Sequence, residues 1–155
     1  MNKKLICYFS ASGVTKSVAE KISKLTNSDL FEIEPVEKYT TADLDWTDKE
    51  SRSTKEMQDK SSRPAIVNKV STLNEYDTII LGFPVWWYTA PTIINTFIEE
   101  NDLTNKNVYI FVTSGSSSFG GSLKDLKETY PNINFVNGIR LSQSSLDDEI
   151  LSWLN

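Results

Sequence analysis

Leu5-Ile6-Cys7-Tyr8-Phe9 runs straight into Ser10-Ala11-Ser12-Gly13-Val14-Thr15, and Val14, Val18, Ile22 and Leu25 then recur at helical spacing. An apolar strand that turns through small hydroxylated residues into a helix start aims several backbone N–H groups and hydroxyls at one point. The first N–H groups of a helix lack intrahelical partners and carry partial positive charge, so an anion, usually a phosphate, is their natural occupant. The same hexapeptide also suits an ordinary strand–helix turn with a Ser or Thr cap. The rest of the chain has to choose between the two.

Outward from that stretch, strand and helix alternate. Lys3–Phe9 reads as a strand apolar on both faces, the pattern of a buried parallel strand. A helix from Thr15 to Leu25 follows, then a more alternating edge-type strand, Leu30–Glu34, ended by Pro35. Residues 39–64 are polar and charged, with a helix expected over Asp48–Lys60 and Trp46 expected to pack on a neighbour. Ile66, Val70 and Leu73 suggest a short helix. Thr78–Phe83 is nearly continuous in apolar residues and so central. A helix over Pro91–Glu100 starts on a proline whose missing N–H is harmless there. Val108–Val112, a helix from Ser122 to Tyr130, a strand Phe135–Leu141 and a closing helix with Leu146, Ile150, Leu151, Trp153 and Leu154 complete the pattern.

Five strand–helix alternations imply right-handed crossovers and a doubly wound, five-stranded parallel sheet in a three-layer α-β-α sandwich. We expect one domain over residues 1–155. In such sheets the ligand lies beyond the carboxyl ends of the strands. Three unusual loops emerge at that edge: residues 10–15, the proline-bounded Pro84-Val85-Trp86-Trp87-Tyr88-Thr89-Ala90-Pro91, and the Gly- and Ser-rich stretch 113–121. An anion cradle, an aromatic wall and a wall of backbone donors describe a site for a phosphorylated planar heterocycle.

Composition narrows the chemistry. The chain has no histidine, which removes Ser-His-Asp and Cys-His catalysis and histidine metal sites. Its single cysteine, Cys7, excludes disulfides, Cys-based metal sites and CxxC redox pairs. No metal ligand and no catalytic side chain are expected. The net charge of −5 argues against nucleic acid or an anionic membrane as partner. No apolar run reaches the roughly 20 residues of a membrane span, and no signal core precedes the first strand, so a cytoplasmic location is the expectation.

On these loops the sequence resembles the flavodoxin family, in its short single-domain form, over the whole chain. Ser10, Ser12, Gly13 and Thr15 match a hydroxyl-x-hydroxyl-Gly-x-Thr phosphate loop; Gly82–Trp87 and Thr113-Ser114-Gly115 match the flavin-flanking loops. The resemblance implies the sheet order 2-1-3-4-5 and FMN as cofactor. Ser10, Ser12, Gly13, Val14, Thr15 and Lys16 would cradle its phosphate. Pro84, Val85, Trp86, Trp87 and Tyr88 would contact the isoalloxazine and ribityl chain, and Thr113, Ser114, Gly115, Ser117, Phe119 and Gly120 would close the other side. It further implies a low-potential electron carrier between a reductase and an acceptor protein, a monomer or alternatively a dimer. One departure stands out: the loop after the fourth strand has no carboxylate, which predicts a less negative potential for the second electron.

Rivals fare less well. A receiver domain needs acids where Ser10-Ala11-Ser12 stands, a Cys-x5-Arg phosphatase needs arginine at Gly13, and GxxxxGK[ST] is absent. The alternative that stays open is an FMN-dependent NAD(P)H:quinone-type oxidoreductase of the flavodoxin-like class, with residues 39–64 either offering a platform for a second substrate or covering the flavin.

Overall fold

The computed structural model describes residues 3–87, 89–114 and 120–154. Among them, strands and helices alternate as β1 (Lys4–Tyr8), α1 (Val14–Thr26), β2 (Asp29–Glu32), α2 (Arg52–Gln58), β3 (Thr78–Pro84), α3 (Thr92–Glu100), β4 (Asn107–Thr113), α4 (Gly120–Thr129), β5 (Asn134–Arg140) and α5 (Asp147–Trp153). All strands pair in parallel, in the order β2-β1-β3-β4-β5. This is the doubly wound arrangement implied by the sequence.

The strand alternation divides the core into two layers. Leu5, Cys7, Ile79, Leu81, Val108, Ile110 and Val112 face one side, against Ile93, Ile94, Phe97 and Leu126 of α3 and α4. Ile6, Tyr8, Ile80 and Phe111 face the other, against Val18, Ala19 and Ile22 of α1 and Ile150 and Trp153 of α5. Full burial of each such side chain contributes about 1.5–3 kcal/mol, which is why the three central strands are predominantly apolar. β2, at the edge, is mostly exposed. Gly82 is required by packing: a Cβ there would lie 2.1 Å from Cζ of Phe111, its neighbour in register on β4.

α1 leaves β1 toward one face and α3 leaves β3 toward the other. The loops after β1 and β3 therefore part, opening the crevice characteristic of a topological switch point.

Three local expectations need correction. The 66–73 stretch forms no α-helix. Ile66 bridges Pro35 in antiparallel fashion, Val36 N–H donates to Ala65 O at 2.9 Å and Val67 N–H to Glu34 O at 2.8 Å, leaving only a 3₁₀ turn at Leu73–Glu75. Ile66, Val70 and Leu73 still reach the core, but from an extended path whose hydrogen bonds go to tertiary partners. The expected helix over 48–60 is shorter, because Ser51 caps it at 3.4 Å from Thr54 N while Asp48 is spent on a preceding turn. Trp46 is not packed away: it is 73% exposed.

Among the described residues no helix is long and apolar enough to cross a membrane, and no group of His, Cys, Asp or Glu is placed to hold a metal ion. Cys7 is fully buried in β1, and burial pushes its thiol well above the ordinary range, so it is inert.

Candidate site at the carboxyl edge of the sheet

The loop after β1 is built from backbone. Gly13 precedes α1 with φ +94°, a conformation that favours glycine, and a Cβ there would meet only open space. Its own N–H donates to Ser10 Oγ at 3.1 Å, and its carbonyl accepts the first intrahelical bond, from Ser17 N–H at 3.1 Å. The N–H groups of Val14, Thr15 and Lys16 therefore stand in the first turn ahead of the helical ladder. Ser12, Val14 and Lys16 are exposed, whereas Thr15 is buried. The Thr15 hydroxyl reaches Thr113 Oγ1 at the end of β4, 2.8 Å away. In such a pair one hydroxyl donates, so the other keeps its proton for a further acceptor.

The turn after β3 is built from side chains. Trp86 and Thr89 exchange both backbone hydrogen bonds, at 2.9 and 3.1 Å, so the chain reverses between them. Trp87 takes a left-handed conformation, φ +52°, which costs a non-glycine residue roughly 1–2 kcal/mol. Pro84 and Val85 are half-buried behind it, with Val85 N–H donating to Thr113 O at 3.1 Å. Thr89 Oγ1 donates to Asp125 Oδ2 of α4 at 2.6 Å.

The two tryptophans do different jobs. Trp86 turns inward, edge-on to Phe9 (centroids 5.7 Å apart) and Tyr39 (5.4 Å), while Phe9 and Tyr39 also meet at 5.5 Å. Trp87 remains 48% exposed. Behind Tyr39 stands a charged latch. Its hydroxyl donates to Glu56 Oε1 at 2.5 Å, Arg52 Nε donates to Glu56 Oε2 at 2.9 Å, and the guanidinium lies 3.8 Å from the tyrosine ring centroid. Burial and the hydrogen bond to Glu56 push the Tyr39 phenol well above its ordinary value. Sequence reading missed Phe9, Tyr39, Arg52 and Glu56 as site builders, since only long-range contacts assemble them.

Thr113 and Ser114 leave β4 at the same edge, and Arg140 at the end of β5 donates to Ser114 Oγ and Ser114 O, both at 3.2 Å. Gly120 opens α4 and is exposed. Tyr88, Gly115, Ser117 and Phe119 lie outside the described residues. Trp87 separates two depressions. One, of about 150 Å³, is lined by Leu44, Trp46, Ser53, Val85 and Trp86; the other, of about 440 Å³, runs past Met57, Lys60, Thr89, Lys124 and Asp125.

A left-handed glycine turn ahead of α1 and a tryptophan-bearing turn after β3 thus meet at the switch point of a 2-1-3-4-5 sheet, the edge at which doubly wound α/β folds take their ligands. Comparison with known proteins supplies the family. The flavodoxin family model matches residues 3–155, and the chain belongs to that family. A candidate flavoprotein of Bacteroides eggerthii DSM 20697 is 46% identical, with 99% of this chain and 96% of that one covered and a TM-score of 0.96. A flavoprotein of Lactobacillus acidophilus NCFM, solved in complex with FMN, is 28% identical over the full length of both chains, with a TM-score of 0.77. A short match, 36% identical over 42 residues, links the chain to the uncharacterized NAD(P)H oxidoreductase YcaK of Escherichia coli K12. It spans 27% of this chain and 21% of that protein.

Proposed function

We propose that the chain binds FMN at this edge and carries electrons between redox proteins. The observation that carries the reading is the cradle before α1: Gly13 in a left-handed turn, first-turn N–H groups beyond the helical ladder, and exposed Ser12 beside them. Donors of this kind, at the start of a helix, suit a phosphate. The Lactobacillus acidophilus flavoprotein, which holds FMN on the same fold, supports the choice of ligand.

Ser10, Ser12, Gly13, Val14, Thr15 and Lys16 would hold the phosphate, with Thr113 sharing the hydroxyl pair. Trp87, not Trp86, would present the aromatic wall, since the Trp86 ring is engaged by Phe9 and Tyr39. Pro84 and Val85 would line the ring edge with backbone carbonyls. FMN supplies the one-electron chemistry when bound, and the chain needs no acid or base of its own. Family membership supports the carrier role, as does the latch that closes the 39–64 segment down onto the β3 turn. The depression left beside Trp46 is about 150 Å³, small against the roughly 300–1,000 Å³ of ligand pockets.

A second reading, an FMN-dependent NAD(P)H oxidoreductase, is favoured by the YcaK match and by the larger depression past Trp87. Steady-state oxidation of NADH and NADPH by the FMN-loaded protein, with a quinone as acceptor, separates the two. The carrier reading predicts turnover only after a reductase is added. Brisk turnover without one would install the oxidoreductase reading instead.

A further inference from the structure

Arg140 ends β5, which places it on the same carboxyl edge as the three loops, and it is exposed. Its fork holds both the hydroxyl and the carbonyl of Ser114, at 3.2 Å each. Ser114 directly follows Thr113, whose hydroxyl is bonded to Thr15 of the phosphate loop. A guanidinium carries one delocalised positive charge. The edge therefore carries a fixed positive charge tied to the start of the loop after β4, the loop in which the sequence shows no carboxylate.

We propose that Arg140 tunes the potential of bound FMN, making the second electron easier to accept. The inference rests on the FMN reading above. The second electron, delivered by a reduced protein partner or by dithionite, adds one negative charge wherever no proton follows it. A cation close by lowers the free energy of that more negative state and leaves the neutral oxidised ring nearly unaffected. Because Arg140 is exposed, salt should screen the effect. Its side chain needs to touch nothing on the flavin for this, so it is a tuning residue and not a catalytic one.

The test is a potentiometric titration of FMN-loaded wild type, Arg140→Gln and Arg140→Lys, at about 10 mM and about 1 M salt, where the screening lengths are about 30 and 3 Å. At low salt Arg140→Gln should bind the fully reduced cofactor about three- to tenfold more weakly relative to the one-electron-reduced form. Tenfold corresponds to about 59 mV for a one-electron step. Arg140→Lys should stay with the wild type, and high salt should merge all three. The apo-protein melting point, measured alongside, should hardly change, and any affinity lost through the FMN phosphate should be equal for the oxidised, one-electron and fully reduced forms.

An unchanged potential in Arg140→Gln at low salt overturns the inference. So does an equal shift in Arg140→Lys, which would mean that the fork shapes the loop and its charge is irrelevant. A wild-type chain that takes up no FMN removes the functional reading beneath it, a result distinct from either.

Discussion

The loop after β1 and the turn after β3 face one crevice and are built in opposite ways. The first is almost all backbone: a left-handed glycine, first-turn N–H groups and short hydroxyls, all within one hexapeptide. The second is almost all side chain. Its shape depends on Trp86 packed against Phe9 and Tyr39, and on Arg52 and Glu56 latching Tyr39 from a segment far away in sequence. A backbone cradle recognises charge and is indifferent to most neighbours. A side-chain wall is only as good as its buttress, and here the protein has placed a largely buried ion pair behind it.

The largest expected effect falls on the first loop. Ser12→Ala with Thr15→Ala should weaken FMN binding by at least about 100-fold, since hydrogen bonds to a charged group are worth about 1.5–3 kcal/mol each. The melting point should drop by a few degrees only, because Thr113 loses its partner. Unchanged affinity by fluorescence titration would mean the anion binds elsewhere.

Next comes the buttress. Glu56→Gln removes the charge opposite Arg52, which keeps Glu37 O as a partner, and should cost about 1.5–3 kcal/mol of stability by urea unfolding. FMN affinity should fall less than tenfold. An affinity loss as large as that of the first-loop double variant would erase the contrast between cradle and wall.

Trp87→Gly sharpens it further, because two readouts should move in opposite directions. Relief of the left-handed strain should stabilise the apo-protein by about 1 kcal/mol. Loss of the exposed ring should weaken FMN about tenfold, in line with stacking energies of roughly 1–3 kcal/mol. If both fall, Trp87 belongs to the scaffold.

The smallest effect is on alkaline stability. The free phenol ionises at 10.0, and burial with the Glu56 hydrogen bond holds Tyr39 protonated well above that. Above pH 10 the unfolded chain therefore sheds this proton while the folded one keeps it, so stability falls as pH rises. Tyr39→Phe should make that fall shallower without abolishing it, since Tyr8, Tyr76 and Tyr130 are also raised. Urea midpoints measured from pH 9 to 11 would show it.

The same contrast explains what the sequence made legible. The central place of β1, β3 and β4 follows from their nearly continuous apolar character, the sheet order came with the family resemblance, and the cradle was read from residues adjacent in the chain. Tyr39, Arg52 and Glu56 were illegible because, scattered through a polar stretch, they look like any solvated surface. Ile66, Val70 and Leu73 imitate a helix because contact with a core at intervals gives the same spacing as a helical face. Trp46 was expected to pack because it is large and apolar, yet the fold leaves it in solvent. Arg140 was within reach: a cation at the carboxyl end of the fifth strand must lie on the same edge as the three loops.

The most direct test is a titration of purified apo-protein with FMN, following flavin fluorescence and the visible spectrum together. Saturation at one FMN per chain, with quenched emission and a perturbed oxidised-flavin spectrum that dithionite bleaches in two resolved steps, is the predicted result. FMN that keeps its free fluorescence and spectrum in the presence of excess protein would contradict the account.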